Sequence, residues 1–230
     1  MIRNDSGAAS FPLVALFDLD GTLVDSAPDM LATANRMRAA HGMEPMALPQ
    51  LRPHVSKGSR AMLAAAFPHW EIEATIARVP EFLRIYQEEL GRHSAAFAGI
   101  EELLQEMEQA GNRWGIVTNK PEYLARDVVR KLGWQSRCAV LIGGDSLSER
   151  KPHPLPLREA ARRMDASIAE CVYVGDDERD IQAARAAGMA SIAVLWGYRL
   201  EQDPPTEWGA GRLAEQVGQL RDPAFWPRSA

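Results

Sequence analysis

Cysteine is scarce in this chain: Cys138 and Cys171 are the two among 230 residues, with no Cys-x-x-Cys spacing and no clustered histidines beside them. A disulfide framework and a thiolate zinc site are thereby excluded, and each cysteine, opening an apolar run, reads as a reduced core thiol. Long hydrophobic runs are missing as well. The best are cut by Asp18, Asn119 and Gly143 within a few positions, far short of the ~18 to 20 residues a membrane span needs. Residues 1–10 carry Arg3, Asn4 and Asp5 without an apolar centre, so they do not read as a secretory signal and are expected to form a loose tail. Reduced thiols and no signal point to the cytoplasm. A basic excess is absent too: 26 Lys and Arg stand against 31 Asp and Glu, for a net charge of −5. No basic run offers a nucleic-acid footprint, and an anionic ligand would need positive charge gathered locally. No internal repeat or low-complexity tract occurs.

What the chain does have is 46% hydrophobic and 25% charged residues, the balance of a soluble globular protein. Short apolar runs recur at Leu13 to Phe17, Trp114 to Val117, Ala139 to Ile142, Val172 to Val174 and Ser191 to Leu195. They lack polar alternation, as parallel strands buried on both faces do, and helix-like stretches separate them. The fold class predicted is α/β, a doubly wound, Rossmann-like parallel sheet.

The spacing is uneven. Nearly the whole gap between the first and second runs is helical in pattern, at Met30 to Ala40, Arg60 to Phe67, Glu73 to Val79 and Phe82 to Leu90. A structureless loop of that length is implausible. The expected organisation is a core domain over residues 1–26 and 95–230 with a helical cap domain over 27–94, hinged near Asp25 to Pro28 and Ala95 to Gly99.

In open α/β sheets ligands bind outside the carboxyl ends of the strands. Asp18 and Asp20 follow the first run, Thr118 and Asn119 the second, and Asp176, Asp177 and Asp180 the fourth. Carboxylates two apart on an extended chain face the same way, and like charges at ~4 Å repel by roughly 4 kcal/mol in a protein-surface dielectric. A divalent cation is called for, and oxygen-only donors favour Mg²⁺. That set suits phosphoryl transfer: Asp18 as nucleophile, Asp20 as proton donor and acceptor, and Thr118, Asn119 and Lys151 as a clamp on the phosphoryl oxygens. Lys151 opens Lys-Pro-His-Pro, a stiff turn that aims its charge. Asp176 is the expected metal ligand, with Asp177 and Asp180 supporting it from behind. Gly188 is the expected C-cap of the alanine-rich helix that follows.

In order and spacing, the Asp18-Leu19-Asp20-Gly21-Thr22 box, Thr118, Lys151, and Asp176 with Asp180 resemble the haloacid dehalogenase-like phosphatase superfamily from Leu13 to Trp208. Asp-Ser-Ala-Pro-Asp at 25–29, Val-Thr-Asn-Lys-Pro at 117–121 and Lys-Pro-His-Pro at 151–154 look like phosphoglycolate phosphatases. His93 to Leu103 and the stretch from Trp196-Gly197-Tyr198 to Trp208-Gly209 look similar to N-acetylmuramic acid 6-phosphate phosphatases. The resemblance implies Mg²⁺ held by Asp18, Asp176 and the backbone carbonyl of Asp20, and an aspartyl-phosphate intermediate. It implies as substrate a small phosphorylated metabolite, 2-phosphoglycolate first and N-acetylmuramic acid 6-phosphate as alternative. It also implies a cap loop, Ser56, Lys57, Gly58 and Arg60, that selects the leaving group, with His54 a weaker candidate. No nucleic acid or membrane is expected as partner; the oligomeric state is monomer or homodimer.

Other readings compete. A calcium loop also runs Asp-x-Asp, but wants Gly at its sixth position, where Leu23 stands, and a helix rather than a strand before it. A phosphomutase would use the same nucleophile, and a non-catalytic phosphate- or Mg²⁺-binding scaffold would keep the fold alone. His41, His69 and His93 read as surface or interface residues, and Trp70, Trp114 and Trp134 as packing anchors.

Overall fold

The structure, a computed structural model, describes residues 10–227; the tail expected over residues 1–10 therefore lies outside the described residues except for Ser10. Strands β1 (Val14–Phe17) and β2 (Val24–Asp25) come first, followed by five helices: α1 (Ala27–Ala40), α2 (Leu48–Leu51), α3 (Ser59–Ala66), α4 (Ile72–Ala77) and α5 (Val79–Glu89). The chain then alternates through β3 (Ala95–Ala96), α6 (Ile100–Gln109), β4 (Arg113–Val117), α7 (Glu122–Lys131), β5 (Leu141–Ile142), α8 (Leu155–Arg163), β6 (Cys171–Gly175), α9 (Glu178–Ala187), β7 (Ala190–Val194), β8 (Arg212–Ala214) and α10 (Val217–Leu220).

Six strands form a parallel sheet in the order β5-β4-β1-β6-β7-β8. Successive side chains of β1 enter opposite layers, as strand periodicity requires: Ala15 and Phe17 join one buried cluster, Val14 and Leu16 the other. On the first face Leu103, Leu104 and Val128 pack down, and on the second Leu157, Ala160, Ala183 and Ala184. Both faces are thus covered, which is why β1 carries no polar alternation. The doubly wound α/β fold expected from the sequence is the fold observed. Strand β8 was not anticipated: Arg212-Leu213-Ala214 pairs with Ile192 to Val194 at the sheet edge, where one half-polar strand suffices.

The helices α1 to α5 gather around Met37, Leu51, Leu63, Phe67 and Phe82, all buried. Phe67 stacks on Trp70 with ring centroids 3.8 Å apart, and Trp114 meets Trp134 edge-on at 5.7 Å, so the tryptophans anchor packing. The two connections between this helical segment and the sheet run side by side as the antiparallel pair β2–β3, Val24 opposite Ala96 and Asp25 opposite Ala95. Asp29, fully buried at the start of α1, accepts hydrogen bonds from the backbone N–H groups of Gly91 and His93 and from the Ser94 hydroxyl. One carboxylate thereby ties the entry of the segment to its exit.

Candidate active site

Parallel register explains why residues far apart in sequence meet. Phe17 is level with Ile116 on one side and Val174 on the other, so the chain leaves β1, β4 and β6 along one edge, delivering Asp18, Thr118 and Asp176 side by side. After β1 the chain turns at once, with Leu23 and Val24 donating to the Leu19 carbonyl at 3.1 and 2.9 Å. Gly21 makes the turn possible: its φ is +86°, and a Cβ there would stand 2.2 Å from Asp176 Oδ2.

The charge is concentrated and buried. Asp18 is 8% exposed, Lys151 3%, Asp176 1% and Asp180 1%. Lys151 Nζ lies 3.0 Å from Asp18 Oδ1 and 2.7 Å from Asp180 Oδ1, and donates to the Tyr173 hydroxyl at 2.7 Å. That hydroxyl donates in turn to the Val117 carbonyl at 2.6 Å. Burial pulls the Lys151 ammonium down, but Asp18 and Asp180 outweigh it and hold its pKa above the ordinary lysine value. Asn119 donates to the Lys151 carbonyl at 2.9 Å, so this strand-end amide fixes the turn that aims the lysine. Thr118 is buried and accepts at Oγ1 from the Lys120 N–H at 3.3 Å.

Asp176 accepts three hydrogen bonds, from Thr22 Oγ1 at 3.0 Å, Ser56 Oγ at 2.8 Å and Tyr198 N at 2.9 Å. Burial, then the charges of Asp18 and Asp180, raise its pKa well above the carboxylate range. Asp180 is pushed up to about 6, chiefly by burial, against the pull of Lys151. Asp177 caps α9, accepting from Arg179 N at 3.0 Å, and Asp180 accepts from Asp177 N at 3.1 Å. Burial would raise Asp177, but the Arg179 guanidinium, 2.7 Å away, and Lys57, 2.9 Å away, keep it low.

Oxygen atoms of Asp18, Asp176 and Asp180 lie within 4.8 Å of one another. The Lys151 ammonium pairs with two of these three buried carboxylates, Asp18 and Asp180, and a hard divalent cation suits the surplus and the all-oxygen donor set. Gly21 and Gly197 leave the space, since a Cβ at either would meet the Asp176 carboxylate within 2.5 Å.

Above this edge is a cavity of about 420 Å³, closed on the far side by α3, α5 and the turn before α3. Asp18, Asp20, Thr118, Asn119, Lys151, Asp177, Asp180, Ser56, Lys57, Gly58 and Arg60 line it, while Asp176 lies just beneath. His54, in the 3-10 turn Arg52–His54, does not reach it.

Several residues of the site, Lys120 and Tyr198 among them although they stand in quoted motifs, were assigned no role from the sequence. Lys120 Nζ sits 3.0 Å from both Asp20 oxygens and donates to the Tyr86 hydroxyl of α5 at 2.8 Å. Tyr198 enters through Asp176 at the end of β6, and Arg179 through Asp177 beside it and the Ser56 carbonyl of the helical segment. A lysine after a strand-end Asn is ordinary; only the approach of Asp20 and α5 makes it a buried ion pair.

The profile of the haloacid dehalogenase-like hydrolase family matches residues 15–194, and the chain belongs to that family. It is a phosphatase, as its relatives are. A phosphoglycolate phosphatase of Xanthomonas campestris is 62% identical over 95% of this chain and 99% of its own. An N-acetylmuramic acid 6-phosphate phosphatase of Pseudomonas aeruginosa is 41% identical over 90% of this chain and 92% of its own. A crystal structure from Haemophilus somnus, described as a predicted phosphoglycolate phosphatase, superposes with a TM-score of 0.80 at 24% identity, over 91% of this chain and 96% of that one, and attests the fold. No helix of the described residues is long and apolar enough to cross a membrane.

Proposed function

We propose that this chain is a Mg²⁺-dependent phosphomonoesterase acting in the cytoplasm on a small soluble metabolite through a phosphorylated Asp18. The observation that carries the reading is the buried pair of Asp18 and Lys151, 3.0 Å apart, lining the cavity on its sheet-edge side and beside Asp176. An Asp18 oxygen attacks phosphorus, the bond from phosphorus to the leaving oxygen breaks, and that oxygen takes the proton of Asp20, which enters this step as the carboxylic acid in place of its ion pair with Lys120. Asp20 then takes a proton from water, whose oxygen attacks the same phosphorus and releases inorganic phosphate, regenerating Asp18. The Thr118 hydroxyl, the Lys151 ammonium and the backbone N–H groups of Leu19 and Asn119 are the donors for the phosphoryl oxygens. Asp180 and Asn119 hold Lys151, and Tyr173 orients it from below.

The residues that would hold the metal are Asp18, Asp176 and the Asp20 backbone carbonyl. Asp180, engaged by Lys151 and by the Asp177 N–H, supports them. When bound, Mg²⁺ supplies charge neutralisation between the carboxylates and the phosphoryl group.

Residues 27–94 act as a cap over a core of residues 1–26 and 95–230, and Ser56, Lys57, Gly58 and Arg60 belong to its specificity turn. The relative 62% identical over 95% of this chain supports 2-phosphoglycolate as substrate. One observation favours N-acetylmuramic acid 6-phosphate instead. The cavity of about 420 Å³ is walled on the cap side by Met30, Val55, Met62, Val79, Phe82 and Leu83, and 2-phosphoglycolate has no apolar group to cover them. Steady-state hydrolysis of both esters decides: a tenfold preference in kcat/KM corresponds to about 1.4 kcal/mol of differential transition-state binding. Release of an isomer without free phosphate, or failure to label Asp18 with phosphate, refutes the proposed reaction.

A further inference from the structure

We infer that Ser56 is a positioning residue for the Asp176 carboxylate, and that Lys57 seats it there, so that metal affinity depends on a turn of the helical segment. The inference rests on Asp176 being a metal ligand, as proposed above. Two of the three donors to Asp176 come from the sheet's own edge, Thr22 on Oδ1 and the Tyr198 N–H on Oδ2. The third, Ser56 Oγ on Oδ2 at 2.8 Å, crosses from the turn before α3, 120 residues away in sequence. A carboxylate has about four lone-pair directions. With three taken, the rotation of Asp176 is set and a direction on Oδ1 stays free for a cation. Without Ser56 each oxygen keeps a single donor, Thr22 on Oδ1 and the Tyr198 N–H on Oδ2, and the carboxylate is held less firmly.

Ser56 does not hold itself there. Arg179 donates to its carbonyl. Lys57 pairs with Asp177 Oδ2 at 2.9 Å and with Asp203 Oδ2 at 2.6 Å, and Asp203 accepts from Trp208 Nε1 at 2.7 Å. The ammonium of Lys57 touches the residue after Asp176, not Asp176 itself. Its charge and its seating role therefore act in opposite directions. By Coulomb repulsion alone, removing a cation from the edge of an acidic cluster strengthens binding of a divalent cation; loss of the seat for Ser56 weakens it.

The test is Mn²⁺ affinity measured on the full chain by electron paramagnetic resonance, without substrate, after matched thermal melts confirm folding. Supports of metal ligands are worth about 10- to 100-fold in affinity, so Ser56→Ala is expected to weaken binding about tenfold, and Ser56→Thr, which keeps the hydroxyl, to restore most of it. Lys57→Met is expected to weaken binding in the native background and not to weaken it further in the Ser56→Ala background, where the seat is already lost and only the charge effect, which favours the cation, remains. Unchanged affinity in Ser56→Ala, or tighter binding in Lys57→Met, overturns the inference. Asp176→Asn separates the levels. If it leaves Mn²⁺ binding intact, the metal-ligand reading of Asp176 fails; if it abolishes binding while Ser56→Ala does not alter it, only the inference fails.

Discussion

Two lysines in this molecule each bridge two carboxylates, and their settings differ. Lys151, on the sheet edge, has a side chain 2% exposed between Asp18 and Asp180, and its backbone is held by Asn119. Lys57, on a turn of the helical segment, has a side chain 25% exposed between Asp177 and Asp203. A buried pair loses its hydration for good and is strongly destabilising when half removed; a partly wet pair is worth little to stability and can open. The sheet edge therefore suits chemistry that needs fixed charge, and the turn suits contacts made and broken around a substrate.

The largest expected effect belongs to the sheet edge. Asp18→Asn should lower Mg²⁺-dependent hydrolysis of an aryl phosphate by about 10⁴-fold or more, measured at saturating substrate; near-normal turnover would break the proposed division of labour between the two regions. Lys151→Met comes next. Leaving Asp18 and Asp180 without their shared cation should cost about 3 to 5 kcal/mol in stability, read from urea unfolding in EDTA, whereas Lys57→Met should cost under about 1 kcal/mol. Equal losses would erase the comparison.

On the side of the helical segment, Arg60→Ala, at an exposed position lining the cavity, should raise KM several-fold while kcat holds, as loss of uniform binding does. A fall in kcat with unchanged KM would bring this wall into the chemistry. The smallest effect concerns the thiols: burial pushes Cys138 up to about 12 and Cys171 up to about 11. A raised thiol pKa means less thiolate at a given pH, so at pH 8 both should label with iodoacetamide on the order of a hundredfold or more slower in the fold than in urea. Fast labelling of either would show that its layer opens.

Much of this was legible in the sequence because it is local. The apolar runs foretold five of the six strands of the main sheet, and the residue just past each run is where the site lies. Gly188, with φ +75°, closes α9 as its sequence position implies. Boundaries were less legible: α1 begins at Ala27 rather than Met30, and α5 at Val79 rather than Phe82, because proline is tolerated in a first helical turn. The pair β2–β3 gave no signal, being only two residues on each strand.

Within the site, Asp18, Thr118, Lys151, Asp176 and Asp180 were marked by sequence position, whereas Lys120, Tyr86, Arg179 and Tyr198 were not. Each of the latter acquires its meaning from a partner on another element of the fold: Asp20 for Lys120, Lys120 for Tyr86, Ser56 for Arg179, Asp176 for Tyr198. Ser56, expected in the turn that selects the leaving group, lines the cavity and in addition donates its hydroxyl to Asp176, a contact the sequence did not mark.

By itself, then, the sequence determined which strands are buried and which carboxylates and cations stand at their ends, since periodicity and strand-end position are properties of neighbouring residues. The tertiary structure alone decided which charge pairs with which and how deeply. Parallel register brings Asp18 beside Asp176, and the packing of α3 and α5 over the sheet sets Ser56 on Asp176 and Tyr86 on Lys120. Hydrogen bonds and ion pairs act over about 3 Å, and only folding brings such groups that close.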